Sequence, residues 1–271
     1  METIRLEHDG HIGWLRLNRP EKLNAMTPQM WAELRELGQQ LLADPARLRC
    51  LVVIGEGRAF SAGIDLSTFS GGGALDPGPV SERDHDDEMV AAILRAQEAY
   101  TWLEDAPFPT VAAVRGYALG AGLQLAAACD LRVMARGTKL GVFEQKYGIM
   151  PDLGGTHWLP RLVGAPKAKE LTWTVAEIDA EEAYRIGLCE RLVDEADLES
   201  SVQELAATLA TQPPMAVSGA KVALNRAAHG ESREAVLRET AERQAECLRS
   251  KDFAEAIAAF LEKRPPEYRG E

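Results

Sequence analysis

The stretch Pro107–Asp130, which reads PFPTVAAVRGYALGAGLQLAAACD, decides the fold of this chain. Thr110–Val114 is a short apolar run with β-branched ends, which is typical of a strand buried on both faces. Leu119–Gly122 follows it, and its glycines let another molecule approach the backbone closely. A buried helix is predicted from Ala121. A strand, a glycine-bearing loop and a helix N-terminus leave unpaired N–H groups, which suit an anion or an oxygen that becomes one.

Strand and helix patterns alternate on both sides of this stretch. Residues Ile4–Leu6 and Gly13–Leu17 alternate around a turn, which predicts a β-hairpin. Thr27-Pro28 supplies an N-cap and a first-turn proline for a helix that runs to about Ala43. Further strands are predicted at Arg49–Gly55, Leu131–Ala135 and Leu188–Val193, and further helices at Glu88–Leu103, Thr156–Val163, Pro166–Thr172 and Ala180–Ile186. The chain is therefore predicted to have an α/β fold.

Two segments stand apart from this alternation. Residues Ser67–Asp87 are polar and rich in glycine, which predicts a long loop that is either a lid or locally disordered. From Asp197 to about Leu261 the sequence is predicted to be helical, and its apolar stripe indicates contact with another subunit. We therefore divide the chain into a core, residues 1–196, and a helical oligomerisation region, residues 197–271. The stripe comprises Leu205, Leu209, Val217, Val222 and Leu224.

Composition and charge exclude several classes of function. The 271 residues are 46% hydrophobic and 27% charged, as in ordinary soluble globular proteins. A net charge of −12, without a Lys/Arg-rich run, argues against nucleic-acid binding. The four cysteines form no CxxC pair, so free thiols in a reducing, cytoplasmic compartment are predicted. No apolar run reaches the roughly 18 residues of a membrane span. The histidines are predicted to form no metal-ligand cluster.

Six motifs carry a resemblance to a known family. They are Asn18–Met26 (NRPEKLNAM), Ala59–Asp65 (AFSAGID), Ala113–Gly122 (AVRGYALGAG), Cys129-Asp130, Pro151–Gly155 (PDLGG) and Phe260–Arg264 (FLEKR). In their order and spacing, the chain from Ile12 to Tyr268 resembles the crotonase (enoyl-CoA hydratase/isomerase) superfamily. The resemblance implies a spiral of ββα units with a helical C-terminal trimerisation region, and a homotrimer or a dimer of trimers. It also implies acyl-CoA thioester substrates, with no cofactor besides the coenzyme A that each substrate carries.

The resemblance also implies an oxyanion hole formed by the backbone N–H groups of Ile64 and Ala121. Removing a proton beside a thioester carbonyl, or adding to its conjugated alkene, places negative charge on the thioester oxygen. One preorganised donor to that oxygen is worth about 3–4 kcal/mol. Two tight turns without a ligand are the alternative. The residues expected to contact the substrate or its coenzyme A are Lys22, Leu23, Arg58, Ala62, Asp65, Gly120 and Lys263, with Arg264 as an alternative to Lys263.

The groups that move protons determine the reaction. Hydratases of the family use two glutamates, but this chain has Gln124 at the first position and Glu144 at the second. Glutamine can hydrogen-bond water but cannot take its proton, so an enoyl-CoA or dienoyl-CoA double-bond isomerase with one carboxylate is favoured over a hydratase. Asp152 stands where dienoyl-CoA isomerases of the family carry aspartate, and it is either a second acid or a turn residue. The remaining alternatives are a solvated Glu144 and a non-catalytic acyl-CoA-binding protein.

Overall fold

A computed structural model describes residues 1–45, 48–69 and 87–271, so most of the loop expected at Ser67–Asp87 lies outside the described residues. The described strands are β1 (Ile4–Asp9), β2 (Ile12–Leu17), β3 (Cys50–Gly55), β4 (Thr110–Val114), β5 (Tyr117–Leu119), β6 (Leu131–Ala135), β7 (Lys139–Gly141), β8 (Glu177–Asp179) and β9 (Arg191–Val193). Six of them form one sheet in the order β1-β2-β3-β4-β6-β9. All neighbours in it are parallel except β1 and β2, which form the predicted hairpin. The strands β5, β7 and β8 form a second, smaller sheet.

Helices connect and cover the two sheets. They are α1 (Pro28–Ala43), α2 (Glu88–Asp105), α3 (Ala121–Ala128), α4 (Gly155–Val163), α5 (Ala165–Thr174), α6 (Ala180–Arg185), α7 (Leu198–Ala210), α8 (Pro214–Ala228), α9 (Arg233–Arg249) and α10 (Lys251–Glu262). The N-cap predicted for α1 is present, because Thr27 Oγ1 accepts from Met30 N at 3.2 Å. Across the described ranges, no helix is both long enough and apolar enough to cross a bilayer. The α/β prediction is confirmed.

The structure differs from the sequence-based prediction at four strands. The strands β5, β7 and β8 were not predicted, because three residues are too few to show an alternating pattern. The strand predicted to begin at Leu188 begins at Arg191. The C-terminal region is helical as predicted, and it is divided into α7 to α10 at Pro213, at Gly230 with its positive φ and at the N-cap Ser250.

The helix α7 covers one face of the six-stranded sheet. Its buried residues Leu198, Val202 and Leu205 belong to the same apolar cluster as the strand residues Val52 and Val111. The prediction that Leu205 belongs to a stripe facing another subunit is therefore wrong, because this side chain is buried inside the chain. Leu209 is partly buried against the same cluster, whereas Leu224 is 70% exposed. The division of the chain at residue 196 stays a prediction, although α7 packs as part of the core.

A buried lysine fixes α8 to the core. Lys221 Nζ donates to Leu103 O at 2.8 Å, to Phe108 O at 3.2 Å and to Asp130 Oδ2 at 2.8 Å. Asp130 Oδ2 also accepts from Thr110 N at 2.7 Å, at the start of β4. The three acceptors satisfy the ammonium group, as a buried charge requires. Both ends of the stretch Pro107–Asp130 are therefore tied to one side chain of the C-terminal helices.

Candidate functional site

The first turn of the candidate site, Ala59–Asp65, is held by the neighbouring segment Asn24–Met26. Ser61 Oγ donates to Asn24 O at 2.8 Å, and Met26 N donates to Gly63 O at 2.7 Å. Gly63 has a φ of +90°, a conformation in which other side chains are strained. Within the described ranges, the Ile64 N–H that follows it donates no hydrogen bond to the chain. This donor is therefore available to a ligand.

The second turn, Leu119–Ala121, leads from β5 into α3 and touches the first turn. Leu119 N donates to Ser61 O at 3.0 Å. A methyl group built on Gly63 would lie 2.7 Å from Leu119 O and 3.8 Å from Ala121 N. The Ala121 N–H is the first of α3 and, among the described residues, finds no acceptor in the chain. Free donors from two separate turns therefore lie close together, which is the arrangement that an oxyanion hole needs.

Gln124 and Glu144 form a buried pair beside the second turn. Gln124 Nε2 donates to Glu144 Oε1 at 2.6 Å, and Gly155 N donates to Gln124 Oε1 at 2.9 Å. Because a backbone N–H can only donate, Gly155 fixes the orientation of the amide and turns its NH₂ group toward Glu144. A methyl group built on Gly120 would lie 3.2 Å from Glu144 Oε1. Glu144 is 7% exposed, so the alternative of a solvated glutamate is wrong.

The second carboxylate oxygen of Glu144, Oε2, is buried without a hydrogen-bond partner among the described residues. Burial raises the pKa of Glu144, and the charge of Asp152 raises it further, against the opposing hydrogen bond from Gln124. Burial likewise raises the pKa of Asp152. The two carboxyls are within electrostatic reach of each other, and each is shifted toward the pH range in which it can both take and release a proton.

The backbone of Asp152 is anchored on α2, because Gln97 Nε2 donates to Asp152 O at 2.6 Å. The Asp152 side chain is half-buried and follows Pro151, which is buried. Glu144 opens a 3₁₀ turn, Glu144–Tyr147, which ends at Gly148 with a φ of 72°. The chain can therefore fold back between the two carboxyls, as their spacing in the sequence suggests.

The residues expected to bind substrate lie on several segments of the chain. Ala62 N donates to Leu23 O at 2.9 Å, so both border the first turn. Lys22 and Arg58 are exposed on the adjacent chain segments. Lys263 is exposed at the C-terminal end of α10. The structure thus places Lys22, Leu23, Arg58, Ala62 and Asp65 at or beside the first turn, and Lys263 at the end of α10.

Two of the charged residues expected to contact the substrate, Asp65 and Arg264, form ion pairs within the chain. Asp65 Oδ2 accepts from Arg19 Nη2 at 2.9 Å, and Asp65 Oδ1 accepts from Ser67 Oγ at 2.7 Å. The hydrogen bonds from Ser67 and Arg19 lower the pKa of Asp65. Arg264 pairs with Glu255 at 2.5 Å and with Glu262 at 2.6 Å. Asp65 therefore holds the first turn in place, which suits a positioning residue better than a direct ligand.

Two buried side chains that support the turns were not identified from the sequence. Asn24 Nδ2 donates to Glu56 O at 2.9 Å and to Ala59 O at 2.8 Å. The hydroxyl of Tyr100, which is fully buried, donates to Ala121 O at 3.1 Å and accepts from Trp31 Nε1 at 3.4 Å. For Tyr100 the available signal was its place on the buried face of α2, since polar groups are buried only with partners, whereas Asn24 lies in a polar loop that gave no such signal.

The expectation that the histidines form no ligand cluster stays a prediction, although two of them lie together in the structure. His157 and His229 lie beside Glu104, and the possible ligand atoms of the three residues lie within 4.8 Å of one another. These residues come from α2, from α4 and from the end of α8. Because they are far apart in the chain, no local spacing could reveal the group.

Comparisons with known proteins agree with this architecture. The family model described as enoyl-CoA hydratase/isomerase matches residues 7–271. A 1,2-epoxyphenylacetyl-CoA isomerase of Escherichia coli strain K12 is 35% identical, over 100% of this chain and 99% of its own. The crystal structure of an enoyl-CoA hydratase from Bacillus anthracis is 32% identical and covers 99% of this chain and 100% of its own, with a TM-score of 0.89.

A Thermobifida fusca relative has been solved in complex with acetoacetyl-CoA. It is 36% identical and covers 91% of this chain and 95% of its own, with a TM-score of 0.81. These likenesses confirm the predicted crotonase-like fold with its C-terminal helices. They extend over almost the whole chain rather than over a single motif. The chain belongs to the enoyl-CoA hydratase/isomerase family.

Proposed function

We propose that the protein is an acyl-CoA isomerase that shifts the double bond of an enoyl-CoA or dienoyl-CoA thioester. The observation that carries this proposal is the pairing of Glu144 with an amide, Gln124, instead of a second carboxylate. A side-chain amide does not ionise near neutral pH, so only Glu144 at this pair can act as an acid or a base. A single carboxylate is sufficient for a reaction in which the same group removes and returns a proton.

In the proposed reaction, Glu144 removes a proton from C2 of a 3-enoyl-CoA. The electron pair moves into the thioester, and the N–H groups of Ile64 and Ala121 stabilise the oxygen of the resulting dienolate. The carboxyl of Glu144 then returns the proton at C4, which leaves the double bond between C2 and C3. Oε2 is the oxygen that supports this role, because it has no hydrogen-bond partner within the described ranges.

Three substrates distinguish this reaction from its alternatives. We expect the protein to convert a 3-enoyl-CoA faster than it hydrates crotonyl-CoA, with a 3,5-dienoyl-CoA as the third substrate. Faster hydration of crotonyl-CoA would instead support an enoyl-CoA hydratase, the activity named for the Bacillus anthracis relative. Binding of all three thioesters without turnover would support a non-catalytic acyl-CoA-binding protein.

Replacing Gln124 by Glu should raise hydration of crotonyl-CoA relative to isomerisation. The new carboxyl would accept from Gly155 N with one oxygen and face Glu144 Oε1 with the other, at the 2.6 Å now spanned by the amide hydrogen bond. Two carboxyls at that distance share a proton, so one of them becomes the acid that hydration requires. The ratio of the two rates measures the effect. An unchanged ratio in a folded, active Gln124→Glu variant would remove Gln124 as the discriminating residue.

We propose that the phosphates of coenzyme A bind to local cations despite the net charge of −12. Lys22 and Arg58 flank the first turn, and Lys263 or Arg264 of a neighbouring subunit could add to them. Lys22, Arg58 and Lys263 are exposed, and charges act on a phosphate only within about 8–10 Å at physiological salt. Lys22→Gln and Arg58→Gln should each raise KM for acyl-CoA more than they lower kcat. An unchanged KM in the double variant would refute the assignment.

A homotrimer or a dimer of trimers is the assembly we propose. The helices α8 to α10 expose large apolar side chains that the described part of the chain does not cover. They are Leu224, Leu237, Leu248, Phe253, Ile257, Phe260 and Leu261. An exposed apolar surface of this kind is typical of a subunit interface. Light scattering at micromolar concentration should give three or six times the 29.6 kDa chain mass. A monomer under those conditions contradicts the proposal.

The free cysteines support a reducing, cytoplasmic location. Cys50, Cys129 and Cys189 are buried, and Cys247 is half-buried. Burial raises the pKa of Cys50 and of Cys129 to about 12. The thiols of Cys50 and Cys129 therefore remain protonated and unreactive at neutral pH.

A further inference from the structure

A carboxylate and two imidazoles converge where the core meets the C-terminal helices. Glu104 lies near the end of α2, His157 lies in the first turns of α4, and His229 follows α8. His229 Nε2 is 2.6 Å from Glu104 Oε1, and His157 Nε2 is 3.4 Å from Glu104 Oε2. The two imidazole ring centroids are 5.2 Å apart. Each oxygen of one carboxylate thus faces a ring nitrogen of a different histidine.

We propose that Glu104, His157 and His229 form a binding site for Zn²⁺, separate from the Glu144 site. Two imidazole nitrogens and one carboxylate oxygen are a common Zn²⁺ donor set, with water in the fourth position. Ligand atoms bound tetrahedrally at about 2.0–2.2 Å from zinc lie roughly 3.4 Å from one another. The three groups already lie within 4.8 Å, and the His157 and His229 side chains are 42% and 36% exposed. Small side-chain rotations therefore complete the site.

The carboxylate of this group is held in place by a neighbouring side chain outside the three proposed ligands. Trp158 Nε1 donates to Glu104 Oε2 at 3.2 Å, which orients the carboxylate as an outer-shell partner does at metal sites.

Arg161 is the cation that competes with zinc at this place. Its Nη1 is 4.0 Å from Glu104 Oε1 and contacts the ring of His157, while its Nε donates to Ala228 O at 3.1 Å. Bound zinc must displace the guanidinium from Glu104 and His157. The arginine therefore weakens metal binding without contributing a ligand, and its removal should increase the affinity.

The site joins parts of the chain that are distant in sequence. Glu104 and His157 belong to the core, whereas His229 belongs to the turn between α8 and α9. Bound zinc would therefore link the C-terminal helices to the core beside the anchor made by Lys221. Because binding requires the folded arrangement, zinc should raise the thermal unfolding temperature.

Titration of the full-length, chelator-treated protein with Zn²⁺, followed by calorimetry, tests the site. We expect one Zn²⁺ per chain. His157→Gln and His229→Gln should each weaken binding by at least about 10-fold, and Arg161→Gln should bind more tightly than the parent. His8→Gln, at an exposed histidine in the β1–β2 hairpin, is the matched control and should bind as the parent does.

Three outcomes would overturn the proposal. They are a parent protein that binds no Zn²⁺ at micromolar concentration, parent-like affinity in His157→Gln or His229→Gln, and weaker binding by Arg161→Gln. Titration with Co²⁺ gives an independent readout, because its visible spectrum distinguishes nitrogen and oxygen ligands from thiolate ligands. A thiolate spectrum would assign the metal to a cysteine and not to this site. Circular dichroism of each variant verifies that the fold is retained.

Discussion

Replacing Glu144 by Gln should lower the turnover of every acyl-CoA substrate by about 10²–10⁴-fold, the usual contribution of a general acid or base. The substituted amide keeps the size of the side chain but cannot remove a proton from C2. Substrate binding should change little, because the N–H donors of Ile64 and Ala121 belong to the backbone and remain in place. Steady-state rates with 3-enoyl-CoA, 3,5-dienoyl-CoA and crotonyl-CoA measure the loss in kcat.

Glu36→Gln serves as the matched control, because Glu36 is exposed on α1 and takes no part in the contacts of the candidate site. This control should retain the parent rates. A Glu144→Gln protein that turns over any of the three substrates at the parent rate would show that another group moves the proton.

The pH dependence of the parent enzyme follows from the same carboxyl. Burial raises the pKa of Glu144, so the base form is lost when the pH falls through this raised value. The rate should therefore fall at a higher pH than an exposed glutamate would give. The stability of the fold depends on pH in the opposite direction to the rate. A carboxyl whose pKa is raised by folding contributes stability at low pH that is lost as the pH rises through the folded pKa. Glu144→Gln should thus unfold at the parent temperature or above it at pH 8.

Replacing Asp152 by Asn should spare 3-enoyl-CoA isomerisation but stop turnover of 3,5-dienoyl-CoA. Moving two conjugated double bonds requires a proton to leave at one end of the acyl chain and to arrive further along. Burial raises the pKa values of both Glu144 and Asp152, and the charge of Asp152 raises that of Glu144 further. Such a pair can hold one member ionised and the other protonated, which divides the two proton transfers between them. Losing one partner should cost the dienoyl reaction about 10²–10⁴-fold.

The matched control for this variant is Asp44→Asn, at an exposed position just after α1. Rates with the two substrates, measured on one protein preparation, separate a catalytic role from a folding defect. Equal and parent-like rates with both substrates would make Asp152 only a turn residue and would end the dienoyl proposal. Equal loss with both substrates would place Asp152 in the structure of the site instead of in the proton transfer.

Local patterns in the sequence were sufficient for the long elements. The buried strands β3 and β4 read as unbroken apolar runs, and Thr27-Pro28 marked the start of α1. Such signals lie within a few residues, so they can be recognised without knowledge of the rest of the chain. The family resemblance supplied Ile64, Ala121, Gln124 and Glu144, which the structure brings to one place.

Long-range contacts could not be predicted in the same way. The orientation of the Gln124 amide depends on Gly155, which lies 31 residues further along the chain. The burial of Leu205 depends on the sheet face that it covers, and a helical apolar stripe does not show which surface it will meet. The group of Glu104, His157 and His229 has no local signature at all. In each case the decisive neighbour comes from a distant segment.

The position of α7 on the sheet has a consequence for synthesis on the ribosome. The sheet face that carries Val52 and Val111 is covered by Leu198–Ala206, which are made long after β4. At ordinary elongation rates, the interval between completion of β4 and of α7 is roughly 5–20 s. During that time, the described N-terminal strands have an apolar face that their final covering helix cannot yet protect. The nascent chain is therefore open to aggregation or to capture by chaperones until translation passes residue 210, and a stall before that point leaves the face bare.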